Sequence, residues 1–404
     1  MTEIETAVGS AVKVTCAKDE LTQALSLVGR AVSTRATVQV LGGVLLRAAD
    51  GQMHLSATDM ELSLRLSVEA QVEGGGAVVA PGRLFVDLAR LLPESEVVLE
   101  HKPEHGVLEV TCGPASYKLN TYSAEDFPKL PDVEGTQTFA VDSSAFLETV
   151  SRVARAASRD ESRPVLTGVL VRFEGGKLIM AATDSYRMSV KETELAGGIA
   201  SELEAIVPAR ALTELSRVAQ DSGELQIGVQ ENHVVFGAGD VWLTTRRIDG
   251  QFPNYKQLLP ETFEHEVVLP REEFLEVVRR ASVMAQRNSP LRLRFAEGEV
   301  TVSAQTQDVG EAKESLPVPF SGTSSQRRSW QLGQSSFGGI ASSPQLPHRI
   351  AESRPSRASS KKPFSVITRS VTAEQAHQDR RGITAEGVHQ AELHRPRRGE
   401  ARAR

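Results

Sequence analysis

The chain has 404 residues, with 46 basic against 52 acidic side chains, a formal net charge of −6, and 40% hydrophobic residues. At roughly 150 residues per domain this is about three domains of ordinary globular composition, which excludes a collagen, a coiled-coil rod or a wholly disordered chain. No apolar run reaches the ~18 residues a membrane helix needs. The start carries Glu3 and Glu5 without a basic leader, and two cysteines, Cys16 and Cys112, cannot build a disulfide framework or a zinc site, so a reducing, cytoplasmic setting is expected.

In chain order the pattern opens with a strand over residues 12–15. A helix over 21–32 follows, with Leu21, Ala24, Leu25, Val28 and Val32 on one face. Residues 44–48 and 53–57 read as paired strands around a glycine-containing turn. Pro81-Gly82 introduces a second helix over 82–92, with Leu84, Phe85, Leu88, Leu91 and Leu92 on its apolar face. Strands over 96–99 and 107–111 close the series. The same order then returns: a strand over 138–141, a helix over 146–157, and, after Pro208-Ala209, a helix over 209–220. A strand over 266–269 and a helix over 271–287 begin it a third time.

The recurrence extends to the residues themselves. Val40-Leu41-Gly42-Gly43-Val44-Leu45 resembles Val165-Leu166-Thr167-Gly168-Val169-Leu170, Ala57-Thr58-Asp59 matches Ala182-Thr183-Asp184, and Phe127-Pro128 matches Phe252-Pro253, all at an offset of 125. Such a period marks a duplicated domain, not a solenoid. A third copy starts with Phe274-Leu275-Glu276-Val277-Val278, like Phe146-Leu147-Glu148-Thr149-Val150, and stops resembling the others near Phe320. The expected fold class is α+β, with domains over 12–132 and 138–260 and a partial third over 264–320.

Residues 321–404 differ from the rest. They hold 13 Arg and 2 Lys against 5 Glu and 1 Asp, a net of +9, which leaves −15 on residues 1–320. With 14 Ser and no sustained period, this stretch is expected to stay unfolded. It reads as the product of a shifted frame near Ser321, the other reading being a basic tail for nucleic acid.

Within residues 1–320 the five helices each carry a net charge of +1 on an acidic body. Their arginines recur: Arg83 and Arg90 match Arg210 and Arg217, Arg30 matches Arg155, and Arg152 matches Arg280. Weakly basic helices on an acidic scaffold suit a surface that meets phosphate. No phosphate-cradling glycine loop, His-Glu-x-x-His or Gly-x-Ser-x-Gly occurs. Asp59 and Asp184 are the best catalytic candidates, but a repeated Thr-Asp after a strand is better read as a turn whose side chain bonds nearby N–H groups.

Together these stretches, with Ser185-Tyr186-Arg187-Met188 and Asp249-Gly250-Gln251-Phe252-Pro253-Asn254-Tyr255, resemble the bacterial sliding clamp, the beta subunit of DNA polymerase III, over about residues 12–320. The resemblance implies a DNA-clamp fold: repeated domains with antiparallel outer sheets and two inner helices each. It implies a head-to-tail homodimeric ring around duplex DNA, without a cofactor, a metal or a catalytic site. It implies DNA contacts at Arg35, Arg159 and Arg163, which join the recurring helix arginines Arg30, Arg83, Arg90, Arg152, Arg155, Arg210, Arg217 and Arg280 as the expected DNA-facing residues. A pocket for partner peptides is implied at Leu166, Thr183, Ser185, Tyr186, Arg187, Met188, Pro253, Gln257 and Leu258. The implied partners are double-stranded DNA, the DNA polymerase III alpha subunit, the clamp loader and other clamp-binding replication and repair proteins. Tyr117 would meet Val283 and Met284 of a second copy. Such a clamp ends on a strand reading approximately Met-Pro-x-Arg-Leu, which this chain lacks. An incomplete third domain is expected to weaken the dimer or promote aggregation. A decoy clamp paralogue that binds partners without encircling DNA is the alternative, and an enzyme using Asp59 or Asp184 a more distant one.

Overall fold

The computed structural model describes residues 12–33, 38–49, 51–131, 133, 136–195, 203–220, 222–259, 265–285, 291–306, 308–319, 329–332 and 364–368. It divides into two compact bodies: residues 1–184 with 189–253, and residues 185–188 with 254–404.

The first body contains two copies of one unit. The first copy runs β1 (Val12–Ala17), α1 (Lys18–Val28), β2 (Gly43–Ala49), β3 (Gln52–Thr58), β4 (Leu62–Glu69), β5 (Gln71–Glu73), β6 (Gly76–Pro81), α2 (Gly82–Leu91), β7 (Glu96–Lys102), β8 (Val107–Cys112) and β9 (Ala115–Asn120). The second runs β10 (Thr138–Asp142), α3 (Ser143–Val153), the single turn α4 (Pro164–Thr167), β11 (Gly168–Glu174), β12 (Lys177–Thr183), β13 (Met188–Glu194), β14 (Leu203–Pro208), α5 (Ala209–Val218), β15 (Glu224–Val229), β16 (His233–Ala238) and β17 (Val241–Arg246). The predicted elements are all present. Helices expected to run to 32 and 157 instead end in 3₁₀ turns, Gly29–Ala31 and Ala154–Ala156.

Each unit makes two antiparallel sheets. In the first copy one sheet has the order β5-β1-β7-β8-β9, and β4-β3-β2-β6 form the other. In the second copy β13-β12-β11-β14 repeat the latter order, and β10-β15-β16-β17 repeat the former. The helices lie against these sheets, α1 on β3 and β4 and against α2, α3 on β12 and against α5. Alternating burial along β1, β7 and β8 gives each strand one core face. Leu21, Leu25, Phe85, Leu55 and Leu64 fill the first core, and Phe146, Phe173 and Phe236 the second. The rings of Phe146 and Phe236 sit 6.0 Å apart between α3 and β16.

The two copies are fused by strand pairing. β17 pairs antiparallel with β4, with Trp242 opposite Arg65, Leu243 opposite Leu64, Thr244 opposite Ser63 and Thr245 opposite Leu62, so one eight-stranded sheet spans both. The Arg65 guanidinium also donates to the carbonyl of Pro131 in the connecting segment.

The repeated glycine has a steric cause. Gly43 and Gly168 open β2 and β11 beside the closing strands β6 and β14. A Cβ at Gly43 would lie 2.3 Å from Val79 Cγ1, and one at Gly168 2.4 Å from Ile206 Cγ2. Pro81 and Pro208, placed by the sequence in the first helical turn, are instead the final residues of β6 and β14 and the N-caps of α2 and α5. The strand thus passes directly into the helix.

The second body holds β18 (His265–Leu269), α6 (Arg271–Ser282), β19 (Leu291–Ala296), β20 (Glu299–Thr306), β21 (Gly310–Pro317), β22 (Ser329–Leu332) and β23 (Phe364–Thr368). Its core is Leu269, Phe274, Val277, Val300 and Val302, beneath α6. The sheet β21-β20-β19-β22 repeats the order of β13-β12-β11-β14, and β23 pairs with β18 as β15 does with β10. The expectation of an unfolded tail is corrected at these two segments. Ser-Trp-Gln-Leu and Phe-Ser-Val-Ile-Thr are short stretches of strand-forming residues, and they pair with edges that the repeat leaves open at β19 and β18. The remainder of 321–404 lies outside the described residues.

Gly168→Ala should destabilise the first body by about 1–3 kcal/mol, since the new methyl must displace the branched side chains of Ile206 on β14 and Ile248 after β17. Chemical denaturation checks this, with Gly175→Ala as comparison for a glycine whose Cβ meets nothing within 4 Å but whose φ is +58°.

Candidate nucleic-acid interface

The helix arginines reach the surface at the ends of their helices. Arg83 and Arg210 stand in the first turns of α2 and α5, and Arg90 and Arg217 in the last. Arg152 closes α3, Arg30 and Arg155 lie on the 3₁₀ turns that follow α1 and α3, and Arg280 sits in the last turn of α6. Arg159 and Arg163 are exposed in the loop before α4. Arg35 lies outside the described residues.

Most of these guanidiniums already face a carboxylate. Arg30 Nη1 lies 3.2 Å from Glu214 Oε2, and Arg217 Nη1 2.5 Å from Glu214 Oε1. Arg210 Nη1 is 2.5 Å from Asp59 Oδ2. Arg152 pairs with Glu148 at 3.7 Å and Arg163 with Asp160 at 3.3 Å. Arg280 pairs with Glu276 at 3.6 Å and Glu314 at 2.5 Å. Arg90 donates to Ser26 on α1 at 3.0 Å. Among the described residues, Arg83 and Arg159 make no ion pair. Hydrogen bonds from Arg280 hold the Glu314 carboxyl below its ordinary value, and those from Ser162, then Arg163, do the same for Asp160. Charge pattern alone suggests arginines open to phosphate; in the folded chain six of them, Arg30, Arg152, Arg163, Arg210, Arg217 and Arg280, also face a carboxylate.

Arg30 and Arg217 come together at Glu214. Arg90 is tied to α1, Arg30 follows α1, and Glu214 on α5 holds both Arg30 and Arg217. Glu214 was not singled out from the sequence. Its signal was present in the spacing, since it lies four residues after Arg210 and three before Arg217 on one helix face.

Asp59 is consumed by structure. Its Oδ1 accepts from the backbone N–H of Glu61 at 3.1 Å and Leu62 at 2.9 Å, and its Oδ2 faces Arg210. Thr58 Oγ1 donates to the carbonyl of Leu62 and accepts from the Met60 N–H. Met60 takes φ +77°, and Ser185, its match 125 residues on, takes +74°. The repeated Thr-Asp is therefore followed in both repeats by one left-handed residue.

The residues expected to hold partner peptides divide between the two bodies. In the first, Leu166 on α4 is half-buried, Thr183 ends β12 and is buried, and Pro253 is half-buried. The Gly250 segment approaches α4, a Cβ there falling 2.8 Å from Val165 Cγ2. In the second, Ser185 and Tyr186 are exposed, Arg187 and Met188 half-buried, and Gln257 exposed on the 3₁₀ turn Tyr255–Leu258. The side chain of Leu258 lies outside the described residues. Of the expected contact residues between copies, Tyr117 is exposed on the edge strand β9, Val283 is 75% exposed, and Met284 packs on the core beneath α6. Leu84 and Leu91 on α2, 55% and 79% exposed, are further large apolar side chains in the open.

This repeated unit of two antiparallel sheets and helices bearing arginines is that of a DNA clamp. Residues 12–131, 140–254 and 256–326 match, in turn, the N-terminal, central and C-terminal domains of the DNA polymerase III beta subunit. Over 310 residues the chain is 37% identical to the beta sliding clamp of Micrococcus luteus, covering 76% of this chain and 98% of that one. It is 36% identical to that of Synechococcus elongatus, covering 77% and 85%. The fold matches the Caulobacter crescentus beta sliding clamp with a TM-score of 0.76 at 24% identity, covering 90% of this chain and 100% of that one. The chain belongs to the DNA polymerase III beta subunit family and is a DNA polymerase processivity factor.

Asp59→Asn should cost under about 1 kcal/mol, because the ion pair with exposed Arg210 is lost while an acceptor remains. Asp59→Ala also orphans two N–H groups and should cost about 1–3 kcal/mol. Thermal denaturation of the two variants should show this order; equal losses would mean that the turn bonds contribute nothing.

Proposed function

We propose that two copies of this chain close head to tail around duplex DNA, touch its phosphates through the helix arginines, and tether the DNA polymerase III alpha subunit and other clamp-binding proteins. A clamp loader would place the ring, and the setting is the cytoplasm, where replication occurs. The clamp itself performs no chemistry: its best carboxylate candidate, Asp59, is spent on two backbone N–H groups and an arginine.

The observation that carries the ring is the β4–β17 junction. The last strand of one repeat, β17, pairs with the edge strand β4 of the sheet β4-β3-β2-β6 in the repeat before it. Applied to a second copy, the same rule sets β9, the last strand of the first repeat, against β21, the corresponding edge of the third. Tyr117 takes the place of Leu243, and Ala312 that of Leu64. The exposed apolar side chains agree. Leu84 and Leu91 stand where α5 carries buried Ala211 and half-buried Val218, and Val283 stands where the earlier repeats carry Arg30 and Arg155. Covering such side chains contributes about 1.5–3 kcal/mol each. Both strands of this interface are among the described residues, so the tail composition does not remove them.

Paired, exposed arginines make contacts that are weak and carry no base information, which permits sliding. The partner pocket at Leu166, Thr183, Ser185, Tyr186, Arg187, Met188, Pro253, Gln257 and Leu258 would take a short peptide with hydrophobic anchors. Domains over 12–132, 138–260 and a partial third over 264–320 remain the proposed division, with the C-terminal family match over 256–326 supporting a third clamp domain.

Sedimentation should show a dimer that Leu84→Arg with Val283→Arg converts to monomer. With a loader, the protein should remain on nicked circular DNA and run off linear DNA. Equal retention on both, or a monomer at every concentration, would overturn the ring; partner binding without retention would favour the decoy reading.

A further inference from the structure

Two carboxylates at the junction of the first two repeats grip arginines across it in opposite directions. Asp59 of the first repeat holds Arg210 of the second, and Glu214 of the second holds Arg30 of the first. Glu214 also holds Arg217 of its own helix. The acids are sheltered, at 11% and 14% side-chain exposure, whereas Arg210 and Arg217 remain more than half exposed. The clasp flanks the β4–β17 strand pairing. On α2 the same helical places hold Arg83, Asp87 and Arg90, yet Asp87 is exposed, and neither it nor Arg83 makes an ion pair among the described residues. The clasp is therefore a property of the junction, not of the helix sequence.

We propose that Glu214, aided by Asp59, limits how strongly this protein grips DNA. Resting on the reading that these arginines face the duplex, the proposal gives the two acids a positioning role. They keep Arg30, Arg217 and Arg210 engaged within the protein, so phosphates must compete for guanidiniums that are already partly neutralised. An arginine held by a carboxylate releases fewer counterions when it meets a phosphate, so both affinity and its salt dependence are held down. The sheltered position of the acids matters, since a fully solvated carboxylate would be screened and would compete poorly.

The test is binding of the full-length chain to a short linear duplex, followed by fluorescence anisotropy between 50 and 200 mM salt. Glu214→Gln should tighten binding about tenfold at the lowest salt and steepen the log K against log[salt] slope by roughly one to two, near 0.9 for each added phosphate contact. Glu231→Gln makes the same charge change at an exposed turn residue between β15 and β16, and should alter the slope little. In an Arg30→Gln/Arg217→Gln background the gain from Glu214→Gln should vanish. Glu214→Asp, which keeps the charge, guards against loss of fold and should retain the shallow slope. Equal effects of Glu214→Gln and Glu231→Gln, with the parent protein binding normally, would overturn the clasp while sparing the DNA reading. Parent binding whose log K does not change with log[salt] would overturn both, because no phosphate contact would then be made.

Discussion

The pairing of β17 with β4 is the constraint on which the rest of the first body depends. Four residue pairs join two repeats that otherwise have separate sheets, and they turn two edges, each a hazard if left exposed, into the middle of one eight-stranded sheet. Once this register is set, the turn carrying Asp59 is brought to the N-terminal end of α5, and the end of α1 is brought to its middle. The Asp59–Arg210 and Arg30–Glu214 pairs follow from that placement. They are consequences of the strand register, and as partly exposed ion pairs they contribute less to stability than the buried surface beside them.

Much of this was legible in the sequence because the chain is its own comparison. Gly43 and Gly168, Asp59 and Asp184, and Phe127 and Phe252 announce equivalent positions before any coordinates. The structure supplies their causes: a closing strand too near for a side chain at the glycines, a left-handed turn after the aspartates, and a buried ring at each phenylalanine. Helix faces were readable because five amphipathic segments keep the 3.6-residue period. Helix ends were less so, since Gly29–Ala31 and Ala154–Ala156 preserve the apolar period while tightening to 3₁₀ geometry.

What sequence could not show was partnership across repeats. Arg30 and Glu214 are 184 residues apart, and nothing in either local pattern names the other. Counting net charge along the helices therefore gave a correct sign and a misleading picture of availability, because most of the arginines counted as open meet a carboxylate. The tail departs from what its composition suggests at two short segments. Its composition is poor in core-forming residues, yet a strand four or five residues long needs only a few pairing positions and an open edge, and β18 and β19 provide the edges.

The two kinds of junction proposed for the ring differ in chemistry for a physical reason. Within the chain, repeats one and two are held at high local concentration by the connecting segment. Their contact therefore needs little association energy, and it can use ion pairs that add orientation more than affinity. Between chains, association must also overcome lost translational and rotational freedom. At the equivalent places of that contact the chain replaces Ala211 and Arg30 by Leu84 and Val283, and Val218 by the still larger Leu91. In the proposed ring, apolar surface would supply the additional free energy there, while the strand edges β9 and β21 would supply register. A single repeated unit could in this way serve both the internal seam and the proposed seam between chains, by changing a few side chains at equivalent helical positions.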